Sequence, residues 1–207
     1  MGARGNKAFW QRFAGIYDRA VKRTSKKTYQ TICDRIRPKL KPEMYVLELA
    51  CGTGQLSYPL SGCVQLWEAT DFSEAMIEKA RRVRDSGSLR FSVQDATKLP
   101  YEHDTFDAVV ISNALHIMPQ PDKALREIRR VLKPGGLLFA PTYAHGGAAH
   151  PRARVTLMRL LGFRVYHKWT AGEFRDFLAA AGFRPDTMVI LADELAPLCY
   201  IDCINEK

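Results

Sequence analysis

A short run, Glu48-Leu49-Ala50-Cys51-Gly52-Thr53-Gly54, passes from an apolar stretch into a glycine turn, and two more acids, Asp71 and Asp95, follow at comparable intervals. Gly52 and Gly54 let the chain turn tightly and let a ligand approach bare backbone. A dinucleotide is a poor fit. It needs GxGxxG, so that its pyrophosphate can rest on a helix N-terminus, and here the third glycine is replaced by Ser57. No phosphate-loop lysine follows the turn, and the Glu48 carboxylate would repel a pyrophosphate. An anion at that place favours a cationic group instead, an amine or a sulfonium. Asp71 can accept both hydroxyls of a ribose. Asp95 can accept from an exocyclic amine such as that of adenine.

Those residues need elements to hold them. Tyr45 to Leu49 reads as a buried strand ending in the glycine turn. Val64 to Thr70 reads as a second strand ending at Asp71, with Ser73 starting a helix that carries Met76, Ile77 and Ala80 on one face. Leu89 to Val93 is a third strand, ending near Asp95. Phe106 to Ser112 is a fourth, and its Val109-Val110-Ile111 triplet is strongly β-forming. A helix over 121–132 closes at Lys133-Pro134-Gly135-Gly136, and a fifth strand follows over 137–142. A helix over 170–181 precedes two final strands, about 186–192 and 198–204. Strands alternating with helices predict an α/β, Rossmann-like, doubly wound sheet. The last two strands, joined without a helix, must pair antiparallel. At the N-terminal end, Phe9, Trp10, Phe13, Ile16 and Tyr17 recur at helical spacing, as do Tyr29, Ile32, Cys33 and Ile36. They predict helices over about 7–22 and 25–40, ended by Lys41-Pro42.

Three acids at three adjacent strand ends offer places for an amino-acid head, a ribose and a base. S-adenosylmethionine carries all three and no phosphate. On these residues the sequence resembles the class I S-adenosylmethionine-dependent methyltransferases, of the small-molecule type that includes ubiquinone and menaquinone methyltransferases. The resemblance covers about 7–204. It implies a seven-stranded sheet, mostly parallel, ending in an antiparallel hairpin. It also implies that Ala50, Cys51, Gly52 and Gly54 form the glycine motif beside Glu48. Asp71 would take the ribose, while Phe72 and Met76 would line the adenine slot. Asp95 with Ala96 would meet the adenine amine, and Ser112 and Asn113 the methionine part. Phe9-Trp10 through Tyr17-Asp18 is similar to the family's N-terminal lid, whose Tyr sits over the cofactor. The implied division is a helical lid over 1–43 and a cofactor domain over 44–207, with Lys41-Pro42 as hinge.

Methyl transfer needs alignment of nucleophile, methyl and sulfur, and often removal of a proton. The candidates for that base are His116 after the fourth strand, Tyr17 on the lid and His145 after the fifth strand. The fourth-strand end reads Ser112-Asn113-Ala114-Leu115 rather than the Asn/Asp-Pro-Pro-aromatic motif of adenine-amine and glutamine-amide methyltransferases. There is no Pro-Cys nucleophile of the cytosine-ring enzymes either. A small-molecule acceptor is the expectation. The stretch from Tyr143 to Trp169, with His145, His150, Met158, Phe163 and Tyr166, points to an apolar or aromatic one.

Composition bounds the alternatives. The chain has 207 residues, 46% of them hydrophobic and 26% charged, which suits one folded α/β domain. No stretch is long and apolar enough for a membrane span, and the first residues carry no apolar signal-peptide core. The five cysteines form no CxxC pair and have no zinc spacing, so no metal is expected. Free thiols fit a cytoplasmic compartment. The net charge of +9 resides wholly in residues 1–43, which hold 12 Lys and Arg against 3 Asp and Glu. A basic arm on a neutral domain leaves two other readings: RNA binding or RNA modification, with nucleic acid the less favoured partner, and a non-catalytic cofactor-binding or membrane-surface module in peripheral contact with lipid.

Overall fold

The apolar periodicities resolve into a central sheet with helices on both faces. The computed structural model describes residues 6–12, 26–82, 87–144, 162–192 and 197–207. Residues 6–12 are helical. The remaining elements, in chain order, are α1 (Lys26–Ile36), β1 (Tyr45–Leu49), α2 (Ser57–Ser61), β2 (Leu66–Asp71), α3 (Glu74–Ala80), β3 (Leu89–Val93), β4 (Phe106–Ile111), α4 (Pro121–Val131), β5 (Leu132–Phe139), β6 (Thr142–Tyr143), α5 (Ala171–Ala180), β7 (Phe183–Leu191) and β8 (Leu198–Asn205), with short 3-10 turns at Arg37–Lys39 and Leu115–Ile117. Strands lie in the order β3-β2-β1-β4-β5-β8, parallel up to β5, with β8 antiparallel to β5, β6 and β7.

The seven expected strand lines are present, and among the described residues they count as eight strands because one line is interrupted. The difference lies at Pro141. The register of β5 against β8 (Phe139 opposite Asp202) continues unshifted in β6 (Thr142 opposite Cys199). Pro141 has no N–H to give the ladder, so one strand line is split in two. The expected turn at Lys133-Pro134-Gly135-Gly136 is present inside β5 rather than before it. Phe106 pairs with Leu132 and Ala108 with Leu137, so four residues bulge out, with Gly135 at φ 71°. Asn205 pins the bulge by donating to the carbonyls of Leu132 and Lys133.

Side-chain alternation separates two cores. Leu47, Leu49, Val109, Ile111, Leu138 and Ile201 face α4 and α5. Val46, Trp67, Ala69, Val110, Phe139 and Tyr200 face α1 and α2. α4 buries Pro121, Ala124, Leu125, Ile128 and Val131, the stripe its helical period demands. α5 opens on a capping box between Thr170 and Glu173. α1 belongs to the second core: Ile32, Cys33 and Ile36 are fully buried. Just beyond it, Lys39 Nζ reaches Asp202 Oδ1 at 2.8 Å and Asp186 Oδ2 at 2.9 Å. Residues 26–40 are thus bound to the sheet, and Lys41-Pro42 joins two parts of one packed body.

Candidate active site

β3, β2, β1 and β4 lie side by side and parallel, so their C-terminal ends form one row. Asp71, the last residue of β2, is the centre of that row. Its Oδ2 accepts the N–H of Gly52 at 2.9 Å, and its Oδ1 accepts that of Ser73 at 2.8 Å. One carboxylate therefore holds both the glycine turn after β1 and the entry to α3. Burial raises the Asp71 carboxyl to about 6, against these two N–H donors that lower it. Each oxygen keeps a further lone pair for a ligand hydroxyl.

The turn is built on left-handed backbone. Ala50 (φ 53°), Gly52 (φ 59°) and Gly54 (φ 89°) all take it. A Cβ on Gly54 would lie 2.6 Å from the Tyr58 ring, so that glycine serves close packing as well as turning. Cys51 donates its N–H to Thr70 at 2.9 Å, extending the β1–β2 ladder into the turn. Its thiol is buried and raised well above the usual range by desolvation.

Glu48 is 2% exposed and lies under the turn, on the α2 side of the sheet. Its Oε2 accepts from Ser57 Oγ at 2.6 Å and Trp67 Nε1 at 2.8 Å. Desolvation pushes its carboxyl up to about 7, outweighing those two donors. Asp95 is exposed, with Oδ1 accepting from the Thr97 N–H and hydroxyl. Ala96 and Met76 are buried, while Phe72 is 38% exposed. At the end of β4, Asn113 takes φ 54° and donates its N–H to Pro141 at 2.8 Å. Ser112 Oγ and Asn113 Oδ1 are both buried without a hydrogen-bond partner.

Of the three candidate bases, Tyr17 and His145 lie outside the described residues. His116 is 6% exposed, with Nδ1 2.9 Å from Thr142 Oγ1. Its carbonyl accepts the N–H groups of Tyr166 and His167, each at 3.0 Å. His116 thus ties the strap 162–169 to the end of β4. Several residues of this region escape a reading by spacing. Trp67 and Ser57 reach Glu48 across the sheet face. Asn6 reaches the strap from 158 positions away, which no local pattern signals. Among the described residues no group of three or more His, Cys, Asp or Glu could hold a metal.

A doubly wound sheet with a glycine turn after β1, acids at the ends of β2 and β3 and an antiparallel C-terminal hairpin is the frame of a methyltransferase domain. Residues 46–136 match the family model described as Methyltransferase domain. Over that stretch, a little under half of its length, the chain is similar to methyltransferase domains. Among curated relatives, a demethylmenaquinone methyltransferase of Clavibacter sepedonicus is 46% identical over 92 residues, 44% of this chain and 38% of that protein. The match thus spans well under half of that relative's length. Among solved structures, a SAM-dependent methyltransferase from Thermotoga maritima has a TM-score of 0.74 at 19% identity, covering 96% of this chain and 99% of that one. The [4+2]-cyclase SpnF has a TM-score of 0.70 at 21% identity, covering 87% and 80%. At these identities the likeness is one of fold, and SpnF shows that the fold alone does not fix the reaction.

Proposed function

We propose that the chain binds S-adenosylmethionine across the ends of β3, β2, β1 and β4 and transfers its methyl group to a small, apolar or aromatic acceptor. The observation that carries this reading is Asp71, a raised carboxylate at the end of β2 that holds both the glycine turn and the start of α3 and keeps acceptor capacity on each oxygen. The rest of the donor set supports it. Ser112 Oγ and Asn113 Oδ1 are buried polar atoms that a methionine amino group and carboxylate region can satisfy. Glu48 supplies negative charge beneath the turn, suited to a cation. Asp95 offers a carboxylate at the adenine end.

The bound cofactor supplies a methyl group already activated by a sulfonium. The chain's own residues hold and orient the reactants. Asp71 fixes the ribose, the β4 end fixes the methionine part, and the helical segment 6–12 with the strap 162–169 walls the acceptor side with Phe9, Trp10 and Phe163. His116, Tyr17 and His145 stay the candidates for proton removal. The segment before Lys26 is the part proposed to act as lid.

The basic residues after it have other work. Arg35 lies over the Tyr200 ring at 5.5 Å, Arg37 donates to the Pro59 carbonyl at 2.9 Å, and Lys39 pairs with Asp202. Charges spent on internal contacts support the lid reading over an RNA-binding or lipid-binding arm. No described helix is long and apolar enough to cross a membrane.

Calorimetry tests the cofactor: S-adenosylmethionine or S-adenosylhomocysteine should bind and NAD(H) should not. Tight NAD binding without a response to either nucleoside would reverse the assignment. Labelled-methyl transfer to a panel of acceptors, headed by demethylmenaquinol-like quinols, tests the substrate class.

A further inference from the structure

Asn6 presents an unusual bonding pattern for a helical side chain. Its Nδ2 donates to the Ile117 carbonyl at 2.8 Å and to the Arg164 carbonyl at 3.0 Å, while its Oδ1 accepts the Arg164 N–H at 3.0 Å. One amide thus satisfies both backbone groups of Arg164, as a neighbouring strand would, and bridges the strap to the turn after β4. Asn is the shortest side chain with a donor and an acceptor so placed. Phe9 and Trp10 add ring contacts to Phe163 at 5.2 and 5.6 Å.

The next residue faces the other way. Lys7 Nζ lies 4.5 Å from the centre of the Phe72 ring and 3.7 Å from Glu74. Phe72 follows β2, and Ile117 follows β4. β1 lies between those strands. Through the adjacent side chains of Asn6 and Lys7, the segment 6–12 therefore reaches residues on both sides of the end of β1. Its foothold on the β2 side is an exposed ion pair and a cation–ring contact, worth little individually. Its foothold on the β4 side is the three-bond Asn6 clasp and the aromatic rings.

We propose that Asn6 is the positioning residue that holds this cover shut, joining the cofactor side to the acceptor-side strap so that both close as one unit and the bound nucleoside leaves only after the clasp opens. This rests on the methyltransferase reading. Asn6→Asp keeps the acceptor, removes both donors and sets a carboxylate against two carbonyls. Asn6→Ala removes all three bonds without adding charge.

The test is stopped-flow release of S-adenosylhomocysteine, with hydrogen exchange on the same proteins. Both variants should release the nucleoside about tenfold faster or more, the scale of two to three lost hydrogen bonds. Exchange should rise in 6–12 and 162–169 together, while β1 and β4 stay as protected as in the unaltered protein. Release rates within twofold of the unaltered protein in both variants would overturn the clasp, as would an unchanged strap. If Asn6→Asp also loosens β1 and β4, Asn6→Ala decides. Failure of the unaltered protein to bind S-adenosylhomocysteine is a separate outcome, which removes the methyltransferase reading and the clasp with it.

Discussion

At the scale of single residues, Asp71 and Glu48 carry opposite pH signatures for stability and for binding. Both carboxyls are raised by burial, to about 6 and about 7 from ordinary values of 3.8 and 4.5. A raised acid binds more protons folded than unfolded, so its stabilising share is complete below the unfolded value and is lost as pH climbs through the folded one. The ligand-free protein should therefore melt progressively lower as pH rises from about 3.8 to about 7 through these two groups. The proposed nucleoside wants both groups ionised, so its affinity should increase over the upper part of the same window. Calorimetry at several pH values checks this, and Glu48→Gln should flatten the upper part of the profile. Asp71→Ala should weaken S-adenosylhomocysteine by one to two orders of magnitude, at about 1.5–3 kcal/mol per charged hydrogen bond. It should also lower the melting temperature, because the Gly52 and Ser73 N–H groups lose their acceptor. The strand-end place of Asp71 was legible from its spacing. That Asp71 spends its first lone pairs on backbone, and that Glu48 lies beneath the turn against Trp67, was not, because both follow from cross-strand placement.

At the scale of elements, the glycine turn is a packing device. Gly54→Ala would set a Cβ against the Tyr58 ring and force a φ of 89° on a residue with a side chain. Tyr58 hydrogen-bonds the Ala80 carbonyl at the end of α3, so the disturbance spreads from the turn into that helix. The combined cost should be about 2–4 kcal/mol from left-handed backbone and overpacking, read by denaturant unfolding, with cofactor affinity falling as well. An unchanged midpoint would show that Tyr58 swings away freely. Element types were legible wherever apolar period and a breaker coincided, as at Ser73 before α3 and Pro121 opening α4. Two features were not. The fifth strand swallowed its expected turn as a bulge, since Asn205 from β8 supplies the missing donors. The same strand line broke at Pro141, which falls opposite Tyr200 in β8, just after Ala140 makes the last ladder bond to Ile201.

At the scale of the whole molecule, α1 packs into the sheet core with Ile32, Cys33 and Ile36. α1 is sewn to the C-terminal hairpin through Lys39 and the nearly inaccessible Asp202, whose carboxylate also accepts from Tyr200 and the Thr187 N–H. Lys39→Met would leave that buried charge short of its cation and should destabilise the fold by about 3 kcal/mol, seen as a lower unfolding midpoint at pH 7. Partial burial pulls the Lys39 ammonium down, but its hydrogen bonds to Asp202 and Asp186 outweigh this and raise it above its ordinary value. Its stabilising share is therefore present at neutral pH and is lost only as pH rises through the folded value, so the destabilisation should shrink in strongly alkaline buffer. Motion confined to residues before Lys26 should leave hydrogen exchange of α1 unchanged by cofactor, whereas a hinge at Lys41-Pro42 would protect α1 as well. Helical period showed that these residues have an apolar face; only the packed structure shows that α1 spends its face on the sheet while Phe9 spends part of its own on Phe163.

The position of β8 has a consequence for the making of the protein. It lies between β5 and β7, yet follows both in the chain. As a ribosome extrudes the polypeptide, β5 emerges with one edge bare and keeps it bare until Leu198 follows. β7 emerges before its partner strand, carrying Met188 and Ile190 on an outer face that stays accessible even in the finished sheet. β5 and β7 are joined only through β8, so the sheet cannot be closed before this last strand has been made. Until then, the nascent chain offers unpaired backbone and apolar side chains together, the combination that holding chaperones and aggregation compete for.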